Sequence, residues 1–506
     1  MKWIPKWMTL PDTQSRSGAK AATHWNEQKI RKMFSHCDDV QFQYYQFGNP
    51  PVQSAVLFVF CEVMTDEKMI NEMVLPSLQD LHALTHFRSV EQIQREKKLE
   101  LSEENDSSDA DLAGKVFEGK LLIYFVDNSS LFSVDVAKIP DRQPEESNAE
   151  VSIRGPKDGF VENISVNLAL IRKRIRSNSL AYEKYIIGTR TMTKVGLLYI
   201  QDVINPQLLE EARKRLTSMN IAGLYSTTQL ESMIADSSFS IFPLMGYTGR
   251  PDFVVECLMN GRFVVLVDGN PSAVIAPSDL MLQLKTPEDT HFTFLNVAFG
   301  RLIRFISLFV TLLLPGFYIA LLTFHQDQIP FMLLATITSS RMGIPLPAAL
   351  EMFLTLALLE LFREAGVRLP SAIGQTITVV GGLIIGDAAI RAGLFSPSMI
   401  VIGAITAVAG STLVSQALSG TLNVLRLIIL FASSLLGMFG FLFTFFALVL
   451  YLANLRSFGV PYLAPLSPPT FRDIPESVLR IPWSLRKKRP QYLKTKNQSK
   501  QGEGSS

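Results

Sequence analysis

The residues best able to do chemistry lie in the least charged part of the chain. Residues 292–456 hold eight Arg and five Asp or Glu in 165 positions, and Glu351, Glu360, Glu364, Asp387 and Arg391 stand inside or beside its apolar runs. A charge at the centre of a lipid-embedded helix costs about 3 kcal/mol or more, so such groups face protein or water and mark ion paths and gates. On a helix Glu360 and Glu364 lie about 40° apart, whereas Glu351, nine positions before Glu360, falls on the opposite face. One stripe cannot hold all three. Asp387 and Arg391, four apart with the acid first, can pair along one face and lower each other's cost. For all five residues the plainer reading is a helix-end charge or a satisfied pair; the functional one is an ion path or gate.

A second set lies upstream, in Ser152-Ile153-Arg154-Gly155-Pro156-Lys157-Asp158-Gly159-Phe160. Gly155, Pro156 and Gly159 impose a tight turn after a short strand, and Arg154 offers a planar five-donor group to a carboxylate or carbonyl. The segment is either a turn within one domain or a joint between subdomains or protomers. Arg250-Pro251-Asp252 caps the helix that follows, with Asp252 favoured at its positive end.

Other chemistries fail on spacing. Gly114 to Lys120 matches a phosphate loop, but Leu121 replaces the Ser or Thr that would hold Mg²⁺ and a strand follows where a helix should begin. His82 and His86 lack both a neighbouring Glu and a third ligand for zinc. Cys37, Cys61 and Cys257 are odd in number and far apart, as in a reducing compartment. Neither a metal nor a cofactor is expected, and an enzyme is disfavoured.

The elements that must position these groups form two regions. The chain is 47% hydrophobic and 19% charged over 506 residues, and the charge deficit is local: lysine stops at Lys285 and resumes at Lys487. The fold class expected is an α/β cytoplasmic N-terminal region of two subdomains followed by an all-α multi-pass transmembrane domain. The divisions are a loose leader 1–35, a first subdomain 36–145, a second 146–291, a transmembrane region 292–456 and a basic cytoplasmic tail 457–506. In the first subdomain, alternation at Val40, Phe42 and Tyr44 and the run Ala55–Phe60 read as strands. A helix runs from Glu67 to about Leu81, a charged exposed loop spans 96–111, and a hairpin turns at Asp127-Asn128-Ser129-Ser130. In the second, strands Val195–Ile200 and Phe263–Val267 alternate with helices at Pro206–Met219, Thr228–Ala235 and Asp252–Met259, which favours a largely parallel sheet. No internal sequence repeat is visible.

Phe305–Phe324, Ser398–Leu418 and Leu427–Leu452 are each long enough to span a hydrocarbon core of roughly 30 Å. Pro347–Phe362 and Thr376–Ile390 are short and charged. The opening residues carry no signal-peptide pattern, and the tail holds nine basic and three acidic residues, including Arg486-Lys487-Lys488-Arg489. Both ends are therefore expected in the cytoplasm. Four crossings follow if Thr376–Ile390 stays re-entrant, with Arg363, Arg368 and Arg391 on the cytoplasmic side and Arg341 and Arg426 on the other. Gly382-Leu383-Ile384-Ile385-Gly386 suits close helix packing. Residues 1–291 carry about seven net negative charges, which argues against nucleic acid. The basic tail is a topology determinant or a contact for membrane lipid.

From Ser152 to Asn163 and on through Asn167 to Arg172-Lys173-Arg174-Ile175, the sequence resembles the A subunit of the GerA-family spore germinant receptors. Further matching stretches are Gly249-Arg250-Pro251-Asp252, Gly261-Arg262 with Val267-Asp268-Gly269-Asn270-Pro271, and Leu314-Pro315-Gly316-Phe317-Tyr318. Arg363-Glu364-Ala365-Gly366, running into Leu369-Pro370-Ser371-Ala372-Ile373-Gly374-Gln375, is another. The resemblance covers roughly residues 40–465. It implies an inner-membrane protein of the dormant spore that works with a transporter-like, nutrient-binding B subunit and a lipoprotein C subunit, and that oligomerises with itself into a nutrient-gated cation channel triggering germination. Two other classes stand beside it: a non-conducting membrane scaffold for the other subunits, and a secondary transporter, for which no second copy of the Gly-interrupted segment is found.

Overall fold

The computed structural model describes residues 25–48, 53–87, 99–138, 150, 152–368 and 386–501. The chain divides into two units, Met1–Pro140 with Ile175–Asn178, and Asp141–Arg174 with Ser179–Ser506.

In the first unit, β1 (Val40–Phe47), β2 (Ser54–Cys61), β3 (Ser102–Glu103), β4 (Lys120–Phe125) and β5 (Ser130–Asp135) form one antiparallel sheet in the order β1-β2-β4-β5-β3. The hairpin expected around Asp127–Ser130 joins β4 to β5. Alternate residues Val56, Phe58, Phe60, Leu121, Ile123 and Phe125 point into one core, as the period of two requires. The leader boundary at residue 35 moves: α1 (Glu27–Met33) is capped by Asn26, and the buried Trp25 carbonyl accepts from the Tyr124 hydroxyl at 3.3 Å. Trp25, Ile30, Phe34 and Cys37 form the buried side of α1 and its flanks, a helical spacing too short to stand out in polar sequence. The helix from Glu67 continues through a π-turn, Ile70–Val74, into α2 (Leu75–Thr85). The charged loop contains β3 and the start of α3 (Asp109–Phe117), capped by Ser108, and Glu104 is buried there against Lys115 and Ser133. Gly114–Lys120 is the end of α3 and its exit turn. Gly119 has φ 97°, and a Cβ there would lie 2.6 Å from the Met64 carbonyl oxygen, so the glycine serves a helix end. His82 is buried with its ring edge-on to His86, and among the described residues no His, Cys, Asp or Glu groups of three could hold a metal ion.

The second unit opens with α4 (Ile164–Arg172), then β6 (Leu180–Ile187), β7 (Thr193–Ile200), α5 (Pro206–Thr217), α6 (Thr227–Ile234), β8 (Gly246–Thr248), α7 (Pro251–Met259), β9 (Phe263–Val267), β10 (Ala273–Ala276) and α8 (Leu280–Gln283). The sheet order is β6-β7-β9-β10-β8, and every pair is antiparallel. The parallel sheet expected from alternating strands and helices is therefore corrected. β6–β7 and β9–β10 are hairpins, and β7 reaches β9 through three helices and an edge strand rather than one crossover helix, the connection that would demand parallel strands. Both units share one strand order and one helix placement, a duplication of topology without a repeat of residues.

From α8 the chain enters a helical bundle within the same unit. α9 (Phe294–Phe324) and the 39-residue α13 (Gln416–Asn454) are the two described helices long and apolar enough to cross a membrane. Between them lie α10 (Phe331–Ser340), α11 (Ala348–Arg368) and α12 (Pro397–Ser411). Pro347–Phe362 thus belongs to a 21-residue helix. Ser398–Leu418 is not one span: its helix ends at Ser411, and Leu418 belongs to α13, which Ser415 caps. Leu427–Leu452 is not one span either. Thr421 Oγ1 donates to the Ile241 carbonyl at 2.8 Å, and the Ile241 N–H donates to the Tyr451 hydroxyl at 3.1 Å. A straight helix would separate Thr421 from Tyr451 by about 45 Å. Gly437, at φ 61° and ψ −139°, turns α13 back on itself into two arms, and Phe324 at the end of α9 fills the space beside that turn. Residues 369–385 are outside the described residues, and with them most of Thr376–Ile390 and of the Gly382–Gly386 segment.

Candidate functional site

The segment opening at Ser152 runs past the N-terminus of α7 and a short 3-10 turn, Pro287–Thr290, that precedes α9. Arg250 occupies the N-cap of α7 and is 2% exposed. Its guanidinium lies between two carboxylates: Nε and Nη2 donate to Asp252 at 3.1 and 2.6 Å, and Nη1 donates to Glu288. Asp252 also faces His291 Nε2 at 2.9 Å. Glu288 is shared with the upstream segment, accepting from the Arg154 backbone N–H at 3.0 Å and the Ser152 hydroxyl at 3.3 Å. A side chain at Gly155 would collide with the Arg250 guanidinium, so close approach, rather than a left-handed backbone, selects glycine here. Glu150 completes the edge by accepting from Thr248 Oγ1 at 2.5 Å and Gly249 N at 3.1 Å.

The next residue, Asp289, faces the other way. It is 4% exposed and binds Arg301 Nε and Arg304 Nη2, both at 2.7 Å, on the first turns of α9. Thr286 and Asp289 form a capping box that fixes the 3-10 turn. Adjacent carboxylates on one rigid turn therefore hold the soluble domain through Glu288 and the base of α9 through Asp289. The tail braces the same base. The Glu476 backbone oxygen accepts from Arg301 Nη1 at 3.3 Å and the Thr290 oxygen from Arg480 Nη2 at 3.3 Å, while Glu476 pairs with Arg486 at 2.8 Å and Lys500 at 3.1 Å. Arg486 of the basic run is thus spent inside the fold, whereas Lys487 and Lys488 remain exposed. Below the turn, Arg262 and Asp279 form a buried pair at 2.5 Å, with Tyr492 3.2 Å from Arg262.

Burial pushes the carboxyls of Asp252, Glu288 and Asp289 up, but the guanidinium groups beside them outweigh it and hold all three below the usual range. Burial, more than the charges around it, pushes the Cys257 thiol up to about 12. A buried ion pair is stable when hydrogen bonds satisfy both partners, and here they do.

Arg154 takes a different part from the one expected. Its backbone, not its guanidinium, meets the carboxylate; the guanidinium is exposed and lies over the Phe292 ring at 5.7 Å. Among the described residues no strand leads directly into Gly155, and Pro156 is half-buried and Gly159 buried. Arg250 offers no side-chain cap to α7; Asp252, in the first turn, secures Arg250 instead.

In the bundle the acidic candidates separate by face. Glu351 is fully buried: Oε1 accepts from the backbone N–H and hydroxyl of Ser396, both at 2.5 Å, and Arg341 lies 3.3 Å from Oε2, which has no hydrogen bond. Glu360 pairs with Arg363 and lies 3.8 Å from Arg426 Nη2. Arg363 and Arg426 therefore meet at one carboxylate, and the expectation that they lie on opposite sides of a membrane is corrected. Charge alone could not reveal this, because α12 and the first arm of α13 bring Arg426 back to the level of Arg363. Glu364 lines the same cavity of 550 Å³ as Glu360. Asp387 and Arg391 pair at 2.8 Å, both exposed, and away from the cavity lining.

The profile of the Bacillus/Clostridium GerA spore germination protein matches residues 28–492. The chain belongs to the GerA spore germination protein family. Spore germination protein XA of Bacillus anthracis is 42% identical over 483 residues, 95% of this chain and 98% of that protein. Spore germination protein B1 of Bacillus subtilis (strain 168) is 33% identical over 466 residues, 92% and 96% of the two chains. Among solved structures, the N-terminal domain of the A subunit of the Bacillus megaterium spore germinant receptor GerK3 is 26% identical with a TM-score of 0.39, covering 49% of this chain and 92% of that one.

Within this GerA-family chain, Glu288, Asp289, Arg301 and Arg304 escaped sequence reasoning. Glu288 and Asp289 sit in polar sequence of ordinary composition. The available signal was an acidic pair shortly before an apolar helix whose first turns carry Arg at i and i+3.

Proposed function

We propose that this GerA-family chain is the A-type subunit of a nutrient receptor in the inner membrane of the dormant spore. It assembles with copies of itself, a transporter-like B subunit and a lipoprotein C subunit, and its helical bundle provides the gated ion path that starts germination; it catalyses no reaction. The observation that carries this reading is the Pro287–Thr290 turn, which couples the soluble domain through Glu288 to the base of α9 through Asp289. A shift in the soluble domain then becomes a shift of packed helices, the kind of rearrangement that opens gates.

The bundle geometry supports a multi-pass topology. The base of α9 and both ends of α13 lie at the soluble-domain end, while Gly437, Phe324 and the Glu351–Ser396 contact lie at the far end. Described helices α9, α11, α12 and the two arms of α13 each run from one end to the other. In this reading the soluble units and tail lie on the cytoplasmic side. Glu351 at the far end and Glu360 and Glu364 towards the soluble-domain end are the gating candidates of this reading, and the exposed Asp387–Arg391 pair meets a neighbouring subunit or water.

Cation flux through liposomes holding the purified subunits tests the proposal. Nutrient-dependent flux that changes with Glu351→Gln or Glu360→Gln supports an ion path. Normal receptor assembly with no flux under any nutrient and partner combination would favour the non-conducting scaffold.

A further inference from the structure

Arg426 differs from Arg250, Arg262 and Arg301, buried cations that each hydrogen-bond a carboxylate. It is 5% exposed, its Nε has no hydrogen-bond partner, and among the described residues its one ionic neighbour is Glu360 at 3.8 Å, beyond hydrogen-bond reach. Glu360 is already committed to Arg363. Arg363 is well supplied besides: the Asn423 amide, with its oxygen turned towards it, accepts at 2.7 and 3.0 Å, and Ser419 accepts at 3.3 Å. A guanidinium offers five donors in a rigid fork, and burying one with those donors unmet is costly. Arg426 is therefore the group in this region that lacks a counter-charge of its own.

It also lines the 550 Å³ cavity between α11, α12 and the first arm of α13. That volume is in the range of small-molecule pockets, and the walls contributed by Leu356, Leu359, Phe362 and Leu413 are apolar, as such pockets usually are. We propose that this cavity binds a singly charged oxyanion carried on an apolar body, with the oxyanion on Arg426. One negative charge matches the one cation of the lining that hydrogen-bonds no carboxylate; a dianion would meet Glu360 and Glu364 with excess charge. A carboxylate of a free small molecule and the phosphodiester of an anionic lipid share this chemistry, and basic pockets between helices at the cytoplasmic face are suited to lipid head groups. The proposal does not depend on whether the bundle conducts ions.

The test is thermal unfolding of the full chain with defined probes. Sodium butyrate and dimethyl phosphate serve as soluble monoanions at constant ionic strength, and nanodiscs with or without phosphatidylglycerol supply the lipid. In the wild-type chain at least one source raises the melting midpoint by about 2–4 °C. Arg426→Gln removes the effect. Gly420→Leu removes it too while leaving Arg426 in place, because Gly420 lines the cavity and has open space where a Cβ would stand. A rise with the soluble probes assigns a free small molecule, and a rise only with phosphatidylglycerol assigns lipid; either supports the site. No rise from any source, or a rise that persists in Gly420→Leu, overturns it.

Discussion

Arg250, at the edge of the second sheet, and Arg426, in the helical bundle, are both more than nine-tenths buried, yet their surroundings differ sharply. Arg250 donates to two carboxylates, each of which has further partners. Arg426 has one shared carboxylate at 3.8 Å and an unpartnered Nε. Charge satisfied on all sides fixes a geometry, whereas charge left partly unmet keeps a site open to something else. In the proposed reading the joint transmits position from the soluble domain to α9, and the bundle cavity receives a group.

The comparison predicts opposite signs for similar substitutions. Removing one partner of a fully bonded buried pair is the largest effect: Arg262→Ala leaves Asp279, 1% exposed and still capping α8 through the Leu282 N–H, without its counter-charge and lowers stability by about 3–5 kcal/mol in denaturant unfolding of the full chain. Arg426→Met, in the absence of any oxyanion, is neutral or stabilising by about 1–4 kcal/mol in the same measurement, and a loss comparable to that of Arg262→Ala would erase the distinction. Gly155→Ala forces the Arg250 guanidinium to move and costs about 1–3 kcal/mol.

A pH series sharpens the contrast further. Asp252, Glu288 and Asp289 are held low in the folded state, so their contribution is complete above the ordinary carboxylate range near pH 4 and disappears as pH falls through the depressed values. The contribution of these three carboxylates to the stability of the second unit should hold flat from pH 7 to about 5 and fall in stronger acid. In Glu288→Gln the acid-dependent fall should be shallower. The smallest effect belongs to Asp387→Asn, whose exposed ion pair is screened by its surroundings; unchanged unfolding is expected, and a large loss would mean that the pair is covered in the assembled protein.

Much of the fold was legible in the sequence because its signals are local. Phe263–Val267 is a strand with the limits its apolar run suggests, and Pro206, after the capping Asn205, opens α5. The Asp127–Ser130 turn closes its hairpin for the same reason. What stayed hidden depends on distant partners. The two sheets share an order that their residues do not repeat, since a strand pattern needs only alternation and apolar character. The fold-back of α13 rests on the backbone at Gly437 inside an apolar run, where Ser433, Ser434, Gly437 and Gly440 are the local marks and do not by themselves distinguish a turn from close helix packing. Among site residues, Arg250, Asp252 and Gly155 were singled out as joint candidates and lie together in the structure, but their shared neighbour Glu288 and the adjoining Asp289 were not singled out. Their role comes from facing opposite ways on a 3-10 turn, a property of geometry rather than of residue type.

The claim that the Pro287–Thr290 turn transmits movement to α9 is tested most directly by nutrient-triggered ion release from spores carrying Glu288→Gln, with the amount of the chain in the spore membrane measured alongside. The account predicts a chain present at its normal level and ion release slowed at least about fivefold, the lower end of ordinary coupling energies. Release at the unaltered rate from spores containing the normal amount of the variant would contradict it.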